Sequence, residues 1–147
     1  MEDVALLKKM ALFKGLDSLE MVQVSKRIRH RKVEPDEVVA ALGSTGNSLF
    51  MVRSGQLVVS VPRGETRELL GELGPGSHFG EISLIDHGPR SAEVRATSPT
   101  ELLELQEQGF KELLDFSPEL KDRLYNNLLL DLCTKIRHTN DRLLHML

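Results

Sequence analysis

Phe79-Gly80-Glu81-Ile82-Ser83-Leu84-Ile85-Asp86-His87-Gly88-Pro89-Arg90-Ser91-Ala92-Glu93-Val94 is the stretch whose reading decides the rest of the chain. It stands between two segments that read as strands, and it is too long for a tight hairpin loop. Gly80 permits close backbone approach, Glu81 to Asp86 suit one short helix, and the first N–H groups of such a helix lack intrahelical acceptors. That is a ready anion site. Arg90 follows ten residues after Gly80. Fixed by Pro89 at the expected start of the next strand, its guanidinium can turn back onto a phosphate held above the helix start. Ser91 and the Ala92 N–H add neutral donors. Glu81 is acidic beside an anion site, which makes sense if its carboxylate accepts from sugar hydroxyls while the phosphate faces Arg90.

Outward from this stretch, short β-branched segments run from Lys32 to Leu105: Glu37 to Ala41, Ser48 to Val52, Gln56 to Val61, Arg67 to Leu73, Ser91 to Ala96 and Glu101 to Leu105. Turn residues separate them, among them Glu34-Pro35-Asp36, Gly43-Ser44-Thr45-Gly46, Pro62-Arg63-Gly64 and Gly74-Pro75-Gly76. Strands this short and close together predict a small β-barrel or jelly roll, a mainly β fold with flanking helices. Before it, Leu6, Leu7 and Met10 recur at helical spacing, and Asp17-Ser18 caps a second helix expected to carry Leu19, Val22 and Ile28. After it, Phe110, Leu113 and Leu114 share a helical face, and Ser117-Pro118-Glu119 supplies an N-cap with proline at the first helical position.

From Pro118 to Leu147 nothing breaks the helix. At 1.5 Å per residue it is roughly 45 Å long, more than a barrel of this size can cover. Its early apolar stripe is Leu120, Leu124 and Leu128. Its later one is Leu129, Leu132, Ile136, Leu143 and Met146, with Thr139 completing a seam of alternating spacings of three and four. The first half is expected to pack on the barrel and the second to pair with another copy, giving a homodimer. The expected division is therefore 1–116, the barrel with its N-terminal helices, and 117–147, a dimerisation and output helix.

The length of 147 residues suits one domain with a short appendage. With 40% apolar and 28% charged residues and a formal charge of −3, the composition is that of an ordinary globular protein, and general nucleic-acid binding is not expected. The single cysteine, Cys133, excludes an intrachain disulfide and a multi-cysteine zinc site. No apolar run approaches a membrane span and Met1-Glu2-Asp3 is not a basic leader, so the expectation is cytoplasmic, without a membrane partner. The basic run Lys26, Arg27, Arg29, Arg31 and Lys32 reads as a solvated face. His30, His78, His87, His138 and His145 lack the pairing of a barrel metal site, so no metal is expected; His87 is expected to cap or border the short helix. No trio reads as nucleophile, base and orienter, Ser83 is read as helix surface, and no catalytic residue or enzyme activity is expected.

The stretch from Phe79 to Val94 resembles the phosphate-binding cassette of the cyclic-nucleotide-binding domain family, which includes regulatory subunits of cAMP-dependent kinase, nucleotide-gated channels and catabolite activator proteins. The resemblance extends to Leu12-Phe13-Lys14-Gly15-Leu16, Phe50-Met51-Val52-Arg53-Ser54-Gly55 and Leu73-Gly74-Pro75-Gly76, and covers residues 10 to 147. It implies a cyclic mononucleotide as ligand. Glu81 would bind the ribose 2′-hydroxyl, the Gly80 and Ile82 backbone would lie against ribose and phosphate beside Phe79, and Arg90, Ser91 and the Ala92 N–H would hold the cyclic phosphate. The base would rest on Val59, Leu70 and Leu73, which the bottom-up reading assigns to the core. Two positions depart from the family pattern: Ser44 and Asn47 stand where relatives often carry acids. Ser91 fits the bacterial cAMP receptors, yet cGMP-preferring domains also use a hydroxyl near this position, so Ser91 does not settle the base; cAMP is expected ahead of cGMP.

The family often closes the site with a group on its C-terminal helix. Thr134, Lys135, Arg137 and Thr139 are candidates, although each also reads as solvated or seam. The function expected is a cyclic-nucleotide sensor that shifts its C-terminal helix on binding, with its output through an unidentified protein effector, a dimer rearrangement or another part of a longer chain. The alternative is a dimeric interaction module that keeps the fold without the ligand.

Overall fold

The computed structural model describes residues 3–146. Among them the elements are α1 (Val4–Lys8), a 3-10 turn (Ala11–Phe13), α2 (Ser18–Ser25), β1 (Ile28–Val33), β2 (Val38–Ala40), β3 (Ser48–Ser54), β4 (Leu57–Arg63), β5 (Thr66–Leu73), β6 (His78–Phe79), α3 (Glu81–Asp86), β7 (Glu93–Ala96), β8 (Thr100–Gln106), α4 (Glu107–Phe116) and α5 (Pro118–Met146). They form two compact units, residues 26–111 and residues 1–25 with 112–147. The boundary expected at 116/117 falls between α4 and α5.

In the unit 26–111, two four-stranded antiparallel sheets have the orders β1-β8-β3-β6 and β2-β7-β4-β5. Sequence neighbours are therefore mostly not sheet neighbours, as in the expected jelly roll. Val33, Phe50, Val52 and Leu102 from the first sheet meet Ala40, Leu57, Val94 and Ala96 from the second in one apolar core. Alternate residues face this core, which is why Leu102 is inward while Leu103 points to the other face. Leu103, Leu105, Leu49 and Met51 are also 0–1% exposed. Both faces of β3 are thus buried from Ser48 to Val52. Truncating Val52 or Leu102 to alanine removes packing worth about 2–4 kcal/mol in such a site.

The expected strands are present with ends shifted by at most two residues, and two further strands, β1 and β6, carry no strand signal in the sequence. Ile28 does not belong to α2: that helix ends at Ser25, and Ile28 opens β1, paired with Leu105 of β8. β1 carries Arg29, His30, Arg31 and Lys32, so it lacks the apolar alternation that marks a strand. Its solvated character is nevertheless as expected, since Arg29, His30 and Lys32 are exposed. Arg31 instead lies over the Phe50 ring at 5.7 Å and pairs with Glu37. β6 is only His78–Phe79, too short for any periodicity.

In the unit of residues 1–25 and 112–147, Asp17 and Glu20 form a reciprocal cap on α2: Glu20 N donates to Asp17 Oδ1 at 2.8 Å and Asp17 N to Glu20 Oε1 at 2.9 Å. Arg123 of α5 also donates to Glu20, whose side chain is buried. Met21 and Val24 form the buried face of α2, while Leu19, expected inside, is 61% exposed. Ser117 Oγ accepts from Leu120 N at 3.1 Å, the expected cap of α5. Leu120, Leu124 and Leu128 are buried, and Asn127 beside them donates to the carbonyls of Leu12 and Lys14 at 2.8 and 2.9 Å. Within this unit the early stripe therefore lies on the side of α5 that meets the 3-10 turn. Leu129, Ile136 and Leu143 of the later stripe are 54–63% exposed. The Met146 side chain, the last expected seam residue, lies outside the described residues.

Candidate functional site

α3 forms where expected and presents two faces. Glu81, Ser83 and Leu84 are buried, whereas Ile82 and Ile85 are exposed. Ser83 is therefore not helix surface, as its polarity suggested: the helix turns its two isoleucines outward and its serine in. His87 caps the helix in the left-handed region (φ 56°) and donates its backbone N–H to the Ser83 carbonyl at 3.0 Å, in keeping with the expected bordering role. At the other end Gly80 adopts φ 100°, which a side chain would strain. A Cβ there would also overlap the Ser48 carbonyl.

The cassette borders an open pocket of about 370 Å³. Phe79, Gly80, Glu81 and Ile82 line one side, and Arg90, Ser91 and Ala92 another. Ala40, Val59 and Val94 supply apolar wall from the second sheet. The Phe79 ring is held by stacking on Phe50, with centroids 5.1 Å apart. Of the three residues proposed for the base, only Val59 is among those bordering this pocket; Val59 and Leu73 also pack on the core. Leu70 is the extra residue of a β-bulge, between the pairs Val59↔Gly71 and Ser60↔Leu69. The bulge shifts the side-chain alternation that a sequence alignment carries across β5 unchanged.

Arg90 dominates the electrostatics. Burial lowers the proton affinity of its guanidinium and the Glu81 carboxylate raises it in part, so the pocket holds a cation and an anion in mutual influence. Arg90 does not lie in β7, which begins only at Glu93. It is fixed instead by the loop before β3: Gly43 N donates to the Arg90 carbonyl and Arg90 N to the Ser44 carbonyl, both at 2.8 Å. Its Nη2 makes a long hydrogen bond, 3.4 Å, to the Ser48 carbonyl. A side chain at Gly46 would overlap the guanidinium.

Gly43 to Gly46, a turn by its sequence, is also the bracket for Arg90. Two glycines three apart were the available signal, but nothing local said which side chain they make room for. With α3 only six residues long, the guanidinium rather than the helix terminus offers the stronger positive charge to the pocket.

The sequence profile of the family described as "cyclic nucleotide-binding domain" matches residues 30–116, more than half of the chain. The chain belongs to that family. Among curated proteins, a cyclic nucleotide-gated potassium channel of Mesorhizobium japonicum is 35% identical over 111 residues, 76% of this chain and 30% of the channel. The potassium/sodium hyperpolarization-activated cyclic nucleotide-gated channel 4 of Homo sapiens is 31% identical over 140 residues, 95% of this chain and 11% of that protein. This cyclic nucleotide-binding domain thus spans a third or less of the length of these relatives. Among solved structures, a cyclic nucleotide-binding domain from Methylobacillus flagellatus superposes with a TM-score of 0.86 at 25% identity, covering 99% of this chain and 83% of that one. The Thermus thermophilus catabolite activator protein gives 0.81 at 29% identity, over 92% and 62%. Among the described residues, no helix is long and apolar enough to cross a membrane.

Proposed function

We propose that this domain is a cyclic-nucleotide sensor, with cAMP preferred to cGMP, and that it transmits occupancy through its C-terminal helix. The observation that carries the reading is one pocket holding a half-buried guanidinium, Arg90, and a buried carboxylate, Glu81, against an apolar wall that includes Val59 and Val94. A cyclic nucleotide has the matching parts: one anionic phosphate, one ribose hydroxyl donor and one flat base. Arg90 and Ser91 take the phosphate with the Ala92 N–H, Glu81 accepts from the 2′-hydroxyl, and the Gly80 and Ile82 backbone lies along the sugar beside Phe79. The base rests against Val59; Leu70 and Leu73 are assigned to it by family resemblance alone. A volume of about 370 Å³ lies within the ~300–1,000 Å³ common for small-molecule sites. The regulatory domain of Toxoplasma gondii cAMP-dependent kinase, solved with cAMP, is a structural relative at 29% identity and TM-score 0.70 and supports the choice of ligand class.

In this reading residues 1–116 sense and residues 117–147 report. Binding shifts the balance between two placements of α5, and it does so only by the difference in nucleotide affinity between them. The exposed Leu129, Ile136 and Leu143 favour a second copy as the partner of distal α5. A protein effector or another part of a longer chain takes the output, in a cytoplasmic setting. Isothermal titration calorimetry of nucleotide-stripped protein with cAMP and cGMP in parallel tests the proposal. Tighter binding of cAMP is expected. A folded protein that binds neither is an interaction module, and the sensor reading fails.

A further inference from the structure

The loop that brackets Arg90 has a second side. There Thr45, Gly46 and Asn47 line a cavity of about 240 Å³ together with His87 and Glu107. His87 Nδ1 lies 3.4 Å from Glu107 Oε1, and Lys111 Nζ lies 3.1 Å from the same oxygen. Glu107 N donates to the Asn47 carbonyl at 2.8 Å, so the first residue of α4 is tied to the bracket by its backbone and to the cassette by its side chain. The four residues from His87 to Arg90 are then held in succession: His87 by Glu107 through its side chain and by the Ser83 carbonyl through its backbone N–H, Gly88 N by Asp86 Oδ1 at 2.7 Å, Pro89 by its bridge to Thr45, and Arg90 N by Ser44. Of these ties the side-chain contact between His87 and Glu107 is the one that the charge of the imidazole governs.

We propose that Glu107, acting through His87, is a positioning residue for Arg90, and that this pair makes nucleotide affinity depend on pH around neutrality. The inference rests on the sensor reading of the pocket. When the imidazole is protonated, Glu107 draws it in and adds a side-chain tie to the backbone bond that already holds the first residue of the short segment carrying the guanidinium. When the imidazole is neutral the ionic attraction is gone and the Glu107 carboxylate turns to Lys111 alone. The charged groups facing His87 are Glu107 and Lys111 from α4 and its own neighbour Asp86; the loop side, Thr45 to Asn47, is uncharged, with Arg90 lying beyond Gly46. With His87 57% exposed the pair is partly screened, so its effect is small: about threefold in affinity.

Calorimetry with cAMP at about pH 6 and about pH 8 tests it on the wild type, His87→Asn, Glu107→Gln and the double variant. Asparagine tolerates the left-handed backbone at this position. The wild type is expected to bind about threefold more tightly at the lower pH. Each single variant should lose that ratio and bind at pH 6 as weakly as the wild type binds at pH 8, and the double variant should add nothing. His87→Lys, a permanent cation, should keep the tighter affinity at both values. A pH ratio that survives in Glu107→Gln or His87→Asn, or additive losses in the double variant, overturns the proposal. A wild type that binds no nucleotide at either pH overturns the reading of the pocket instead.

Discussion

Replacing Arg90 by alanine separates a ligand-binding arginine from a structural one. In the free protein two effects on the guanidinium oppose each other: burial is unfavourable to its charge and outweighs the attraction of the Glu81 carboxylate, while its side-chain hydrogen bond to the Ser48 carbonyl is long at 3.4 Å. A base whose pKa falls on folding costs stability for as long as it is charged, which here means at all pH values below the strongly alkaline range. Removing it therefore relieves that cost while forfeiting one weak bond and the attraction of Glu81, terms that partly offset, and the melting temperature is expected to stay within about 4 °C of the wild type. Toward the ligand the balance reverses. A phosphate facing a guanidinium in a half-desolvated pocket forms charge-assisted hydrogen bonds of about 1.5–3 kcal/mol each. Allowing for water that takes the vacated place, Arg90→Ala should weaken cAMP binding by about 2–3 kcal/mol, a factor of roughly 30–150. Calorimetry gives the affinity and differential scanning fluorimetry the stability. Arg90→Lys should recover only part of the loss, because an ammonium keeps the charge without the two-pronged geometry. Near-unchanged affinity in the alanine variant would refute the assignment of Arg90 to the phosphate. A large fall in melting temperature would refute the claim that its burial is held against the fold.

Gly80→Ala is expected to reduce nucleotide binding at least tenfold and to lower stability by about 1–3 kcal/mol, since its φ of 100° and the Ser48 carbonyl both oppose a Cβ; wild-type affinity by calorimetry would count against the tight contact. Asn127→Leu should cost about 1–3 kcal/mol in urea unfolding, because it leaves the Leu12 and Lys14 carbonyls without their shared donor. Ile136→Asp should convert a dimer to a monomer in multi-angle light scattering, and a wild type that is already monomeric disposes of the seam on distal α5.

Much of the molecule was legible because its signals are local. Ser117 before Pro118 stops and starts a helix whatever surrounds it, and Asp17 with Glu20 caps α2 through atoms three residues apart. Gly80, Glu81 and Arg90 were readable as one site because they lie within eleven residues. What failed was non-local. Ile28 to Val33 is a strand because Leu105 to Thr100 pairs with it, and the basic side chains of β1 carry no trace of that pairing. Ser83 was misplaced because burial of a short helix is decided by what covers it, while its sequence shows only that Ile82 and Ile85 are apolar.

By itself, then, the sequence determined which elements form at the two ends, that the middle is a barrel of short strands, and that one cassette carries a guanidinium and a carboxylate. Only the tertiary structure decided how they are held. It placed the loop from Gly43 to Ser48 around Arg90, some forty residues away along the chain, and it put a bulge at Leu70. The reason is physical: caps and turns are closed by hydrogen bonds between near neighbours, whereas the position of a half-buried charge is fixed by backbone groups that meet it only after the sheets have paired.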